Sequence, residues 1–123
     1  FYLFENFQQI IPDYLSKDKS IVADAKYIPL DKERNYGDEK ATAIYYKTIT
    51  YMYRFCSRNA YLFYPHPDND KVLIDSYRIK TEMEGVNGGE LIKVGLKIPA
   101  GCKSYSEFAS QMLRSESEFL NSI

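Results

Sequence analysis

The sequence predicts an α/β domain, a mixed β-sheet flanked by helices, and three observations carry that prediction. Segments of helical period alternate with segments of strand period. Short runs rich in β-branched and aromatic residues sit between turn-forming clusters. The 123 residues, 45% hydrophobic and 27% charged, are enough for one core, and no second domain is expected.

Phe1 to Phe7 is apolar with one acid, Glu5, and reads as the end or start of a helix. Gln8 to Leu15 (QQIIPDYL) and Ser20 to Tyr27 (SIVADAKY) each place β-branched residues in apolar runs. The polar SKDKS between them supplies turn chemistry, so a hairpin is expected. Pro29 to Glu39 is charged and bounded by Pro and Gly, hence a loop. From Lys40 to Arg58, residues Ala41, Ile44, Tyr45, Ile49, Met52 and Phe55 fall on one arc at ~100° per residue, which predicts an amphipathic helix.

Ala60 to Tyr64 (AYLFY) suits a buried strand, and PHPDND after it a turn. Lys71 to Ile79 and Glu90 to Ile98 alternate as strands around the EGVNGG loop. Ser104 to Leu120 closes the chain as a helix, with Ser104 and Glu107 as a capping box and Phe108, Met112, Leu113, Phe119 and Leu120 as its apolar stripe.

Sixteen Lys plus Arg against seventeen Asp plus Glu exclude a protein that grips polyanions by bulk charge, so any contact with nucleic acid must use a local cluster. The helix supplies one: Lys40, Lys47, Arg54 and Arg58 fall in a narrow arc beside its apolar face, with Tyr51 next to them. That arc is either a phosphate-contacting edge or an ordinary solvated face. Cys56 and Cys102 lack metal-ligand spacing and read as reduced thiols. No run approaches the ~20 apolar residues of a membrane span, and FYLFENF has neither a basic leader nor a cleavage site, so a cytoplasmic location is expected. The first residue is Phe1 rather than Met, which suggests an excised fragment of something longer.

The residues that carry chemistry lie in the first two strands. Asp13 follows Pro12, and Asp24-Ala25-Lys26 comes within the next apolar run. Alternate strand side chains share a face, so Asp24 and Lys26 point the same way, and hairpin pairing brings Asp13 alongside. Two carboxylates and an ammonium on one patch suit phosphodiester hydrolysis. The acids hold a hard cation such as Mg²⁺, and the amine orients water or offsets charge on phosphorus. The bland alternative is a turn aspartate beside an exposed ion pair.

The arrangement Pro12-Asp13 with Asp24-Ala25-Lys26 fits the PD-(D/E)xK nuclease pattern. IVADAKYIPL, AIYYKTITYMYRF and AYLFYPH, in order and spacing, resemble the nuclease domain of McrC-like subunits of McrBC modification-dependent (type IV) restriction systems. The resemblance spans Gln8 to about Ile98 and implies a restriction-endonuclease-like core in the C-terminal part of a longer subunit. It implies Asp13, Asp24 and Lys26 as catalytic residues, with Asp13, Asp24 and, from the helix ahead of the active site, Glu5 on Mg²⁺, for which Mn²⁺ substitutes. It also implies double-stranded DNA with modified cytosine as substrate and a McrB-like GTPase motor as partner.

Two departures stand out. Lys47 occupies the helix position where the family usually has Gln, which favours DNA contact over positioning of a metal-bound water, an exposed helix lysine being the alternative. The stretch between LFENF and the PD strand is shorter than in most members. Lys40, Lys47, Tyr51, Arg54 and Arg58 are the expected DNA-binding set. Tyr27 and Tyr51 are read as core-edge residues rather than nucleophiles, and His66, between two prolines, as a turn residue. The non-enzyme alternative is a nuclease-like module that binds DNA or a partner without cutting.

Overall fold

Val22 on one strand and Ala60 on the next are Cα partners in a parallel ladder, and a helix crosses between them, so the architecture begins as a β-α-β unit. A computed structural model describes residues 1–26, 39–67, 73–82, 84 and 88–122. Its elements are β1 (Tyr14–Leu15), β2 (Ile21–Ala25), α1 (Glu39–Phe55), β3 (Asn59–Pro67), β4 (Leu73–Arg78), β5 (Glu90–Ile98) and α2 (Tyr105–Ser122). The strands form one five-stranded sheet in the order β1-β2-β3-β5-β4. Its three central strands run parallel and both edges pair antiparallel, so the domain is a small α/β fold with a mixed sheet and two helices.

The two faces of the sheet are covered by different helices. On one face α1 packs Tyr51, Met52 and Phe55 against Val22 and Ala60, and Ala41, Ile44 and Tyr45 against Leu62, Tyr64 and Leu91. Burying each such Leu, Val or Met contributes about 1.5–3 kcal/mol. On the other face the ring of Phe63 meets Phe119 of α2 edge-on at 5.1 Å. Half of the expected capping box forms: Glu107 N–H donates to Ser104 Oγ at 3.1 Å, whereas the Glu107 carboxylate accepts from Lys103 N–H at 3.0 Å, one residue before the cap.

Several expectations are revised. Phe1 to Phe7 is not helical: Leu3 N–H donates to the Gln8 carbonyl at 2.9 Å, and Tyr2 bridges Gln9, making a short aromatic hairpin with Phe4 stacked on Phe7. Most of Gln8 to Leu15 is irregular, because Pro12 has no N–H to donate to a ladder. On α1, Ile49 is 37% exposed and Tyr51 is buried, so the true core stripe is turned toward Thr48 and Tyr51. Leu113 and Leu120 of α2 are each 65% exposed, and Ser115 is buried instead. The fragment PHP continues β3 rather than turning. The expectation that Cys56 and Cys102 are not joined by a disulfide is unchanged, and Cys102 Sγ donates to Gln111 Oε1 at 3.5 Å. The charged loop after Tyr27 lies, up to residue 38, outside the described residues.

α1 also stops before Arg58. Cys56 N–H reaches the Tyr53 carbonyl and Ser57 N–H the Met52 carbonyl at 2.9 Å, a Schellman closure. It places Cys56 at φ 55°, the left-handed conformation that glycine takes without a Cβ clash. Cys56→Gly is therefore expected to raise unfolding stability by about 0.5–1 kcal/mol, read from denaturant melts.

The turn between β1 and β2 is closed by one carboxylate. Asp18 Oδ1 accepts from Ser20 N–H, Ser20 Oγ and Ser16 Oγ at 3.0, 2.7 and 2.8 Å. Those bonds, the Ser20 backbone foremost, pull its carboxyl from the usual 3.8 down to about 2. A depressed carboxyl favours the fold above its unfolded value and loses that contribution as pH falls toward the folded one. Acid unfolding between pH 3.8 and about 2 should thus be less steep in Asp18→Asn than in the parent chain, followed by circular dichroism.

Candidate active site

The β1 and β2 ladder, Tyr14 opposite Ala23 and Leu15 opposite Val22, carries on by one step to set Asp13 opposite Asp24. Side-chain bonds take over there from the backbone ladder. Asp13 N–H donates to Asp24 Oδ1 at 2.8 Å, and Ala25 N–H donates to Asp13 Oδ2 at 2.9 Å. Pro12 and the end of the edge strand explain the exchange: past Asp13 the carboxylates stand in for missing backbone partners. Each acid is held by a bond that fixes one of its oxygens.

Lys26 completes the group. Its Nζ lies 3.3 Å from Asp24 Oδ2, with the lysine side chain 21% exposed and that of Asp24 6%. Lys26 N–H donates to the Phe63 carbonyl at 2.7 Å, so β3 holds the backbone that aims this amine. Asp13 is exposed and Asp24 is buried, which gives a patch open on the β1 side and dry on the α1 side. The three residues expected to work together are brought together at the C-terminal end of β2, where parallel sheets place their ligand sites.

Glu5 is not part of this group. It is exposed in the N-terminal hairpin, and among the described residues no three His, Cys, Asp or Glu side chains are gathered to hold a metal. The protein donors are then two carboxylates. Asp13 Oδ1 and Asp24 Oδ2 are the oxygens not bonded to a backbone N–H, and two such hard donors with water and phosphate oxygens suit Mg²⁺.

The basic residues divide. Lys40 and Lys47 are exposed on α1. Arg54 shares their flank, and its Nε donates to the Tyr2 carbonyl at 2.6 Å with the guanidinium over the Phe55 ring, so it ties down the N-terminal hairpin. On the opposite flank Tyr45 OH accepts from Lys93 Nζ at 3.3 Å, on β5. The Lys40 and Lys47 flank therefore faces the β1 and β2 side, where Asp13 lies. Arg58 is exposed but stands beyond the helix, its backbone spanning Ser20 and Glu90. Tyr51 is a correction: it is 3% exposed and packed among Val22, Met52 and Phe55, with its ring face near Lys47 Nζ at 5.7 Å, so it belongs to the core and is not a surface residue of the basic arc. Helical angle alone could have shown this, since Tyr51 lies between the basic arc and Phe55.

Sequence reasoning missed two features. Lys93 is 1% exposed, lies in register with Leu62, which in turn registers with Asp24, and has the Tyr45 and Tyr77 rings within 5.7 and 5.2 Å of its Nζ. His66 is not in a turn but buried on β3. Comparison of the chain with protein-family models, with curated proteins and with solved structures gives no match. Among the described residues, no helix is long and apolar enough to cross a membrane.

Proposed function

We propose that this domain is a divalent-metal-dependent DNA endonuclease of restriction-endonuclease-like fold, resembling McrC-like subunits and working with a GTP-hydrolysing motor. One observation supports the reading above the others: Asp13 and Asp24 meet across the hairpin with the Lys26 amine 3.3 Å from Asp24. Chance placement of an aspartate, an aspartate and a lysine on adjacent strands does not require mutual bonds at the end of a ladder. Bound there, Mg²⁺ or Mn²⁺ supplies charge neutralisation at a phosphodiester and a more acidic water.

The residues divide the remaining work. The bonds from Asp13 N–H and Ala25 N–H fix Asp24 Oδ1 and Asp13 Oδ2, which leaves Asp13 Oδ1 and the Lys26-paired Asp24 Oδ2 to face an ion. Lys26 is paired with Asp24 in the free chain, and the amine is placed to offset charge that builds on the scissile phosphate. Lys40 and Lys47 give the surrounding face the positive charge that the net −1 of the whole chain lacks.

The test is nicking of supercoiled plasmid with Mg²⁺, with Mn²⁺ and with chelator. Cutting that needs the metal and disappears in folded Lys26→Ala supports the proposal. Metal-independent cutting, or full activity in that variant, sinks it. The absence of a third acid among the described residues keeps one rival in view, a module that binds DNA without cleaving it. Calorimetric titration of Mg²⁺ separates them, because the rival shows no heat that depends on Asp13.

A further inference from the structure

His66 is 3% exposed, and among the described residues neither Nδ1 nor Nε2 has a hydrogen-bond partner. Buried polar groups in folded chains are almost always paired, so an imidazole with both nitrogens unmet by the described residues calls for a partner beyond them. The ring is not there by loose packing. A Cβ on Gly95 would lie 2.6 Å from His66 Cδ2 and 3.2 Å from Tyr64 Cζ, so β5 keeps a glycine where the two rings need room.

Its position connects it to the site above. Ala60, Leu62, Tyr64 and His66 alternate onto the α1 face of β3, the face that carries Asp24 in register with Leu62. His66 lies four residues beyond Leu62, about 13 Å further toward the C-terminal ends of the parallel strands. Lys97 is its Cα partner on β5, and Lys26 follows the last β2 partner on the other side. Lys26 holds Asp24 and Lys97 lines a cleft beside α2 with Gln111 and Glu118, so the unmet ring nitrogens themselves are what an oxyanion would meet.

We propose that His66 is a positioning residue for the nucleic-acid backbone, donating a ring N–H to a non-bridging oxygen of a phosphate a few nucleotides from the one at Asp13 and Asp24. The inference rests on the nuclease reading for its substrate, and on the unpaired ring for its site. Since the ring is closed off in the free chain, the bond forms when the strand ends open locally to admit the phosphate.

The chain has one histidine, so its ring nitrogens can be followed by NMR without ambiguity. Metal-free protein is titrated with a short duplex and, separately, with inorganic phosphate. The ring signals are expected to move with duplex and not with phosphate. His66→Leu is expected to bind the duplex about tenfold more weakly while its unfolding temperature holds or rises, because an apolar side chain replaces an unmet polar one. His66→Gln, which keeps an N–H, should recover part of the affinity.

Unchanged duplex affinity in His66→Leu overturns the proposal, as does a lowered unfolding temperature in that variant with no shift of the wild-type ring on adding duplex. An equal shift with phosphate alone overturns the DNA-backbone assignment in favour of a free oxyanion. Binding needs no cleavage, so a wild-type chain whose ring responds to duplex but which never cuts defeats the nuclease reading and leaves His66 in place.

Discussion

Asp24→Asn is expected to stop metal-dependent cleavage while leaving the fold intact, a loss of about a thousandfold in rate or more. The figure follows from what the residue does. A catalytic metal contributes several kcal/mol at a phosphodiester, and each 1.36 kcal/mol is tenfold, so about 4 kcal/mol corresponds to roughly 10³. Asparagine keeps the Oδ1 that accepts from Asp13 N–H at 2.8 Å, so the bond closing the hairpin end survives. What disappears is the charge that faces Lys26 and would face the ion. The freed amine is not trapped, because its side chain is 21% exposed and can turn to water. With the carboxylate side chain only 6% exposed, loss of the pair should cost more than a surface pair does, about 1–3 kcal/mol. Plasmid cleavage and a denaturant melt on the same preparation check both halves. A variant that cuts normally removes Asp24 from the chemistry, and one that unfolds would show that the carboxylate serves the fold instead.

The parts of this fold that were legible in the sequence are those where local pattern and tertiary packing agree. β5 runs from Glu90 to Ile98, as its alternation predicts, because it lies between two partners that take alternate sides of its backbone. The hairpin that joins Asp13 to Asp24 was also readable, since SKDKS offers Asp18 and two serines for a closed turn. The N-terminal segment was not. Its aromatic residues suggested a helix face, but Phe1 packs edge-on to Phe55 at 5.0 Å and Phe4 stacks on Phe7, contacts that no periodicity encodes.

Side-chain placement on the helices was harder than helix existence. Ile49 and Tyr51 are two positions apart on α1, and only the direction of the β2 and β3 surface beneath decides which one is buried. The same holds for Leu113 and Ser115 on α2. For His66, two flanking prolines read as turn chemistry. In the structure Pro65 and Pro67 alternate with His66 on β3, on the side where Phe63 accepts from Lys26, and the described β2 ladder ends at Ala25. Prolines on that side leave the ladder to β5 intact through His66 and Lys97, so the strand continues through a sequence that ordinarily stops one.

Gly95→Ala should destabilise the domain through a clash inside the core. Gly95 pairs with Tyr64 on β3 and with Leu73 on β4, so its backbone is fixed on both sides and cannot retreat. The added Cβ would stand 2.6 Å from His66 Cδ2 and 3.2 Å from both Cζ and Oη of Tyr64. Neither ring has slack, since Tyr64 is 1% and His66 3% exposed. Forcing extra volume into such packing costs about 1–3 kcal/mol, and the α1 contacts of Tyr64 through Ala41 and Ile44 carry the strain into the core. The expected readout is a lowered denaturant midpoint with an unchanged slope. The double variant Gly95→Ala with His66→Ala separates the two rings. Removing the imidazole takes away the 2.6 Å clash and leaves only the 3.2 Å approaches to Tyr64, so most of the Gly95→Ala loss should vanish in that background. If the two losses simply add, the clash with His66 is not what makes glycine necessary, and the demand lies with Tyr64 alone.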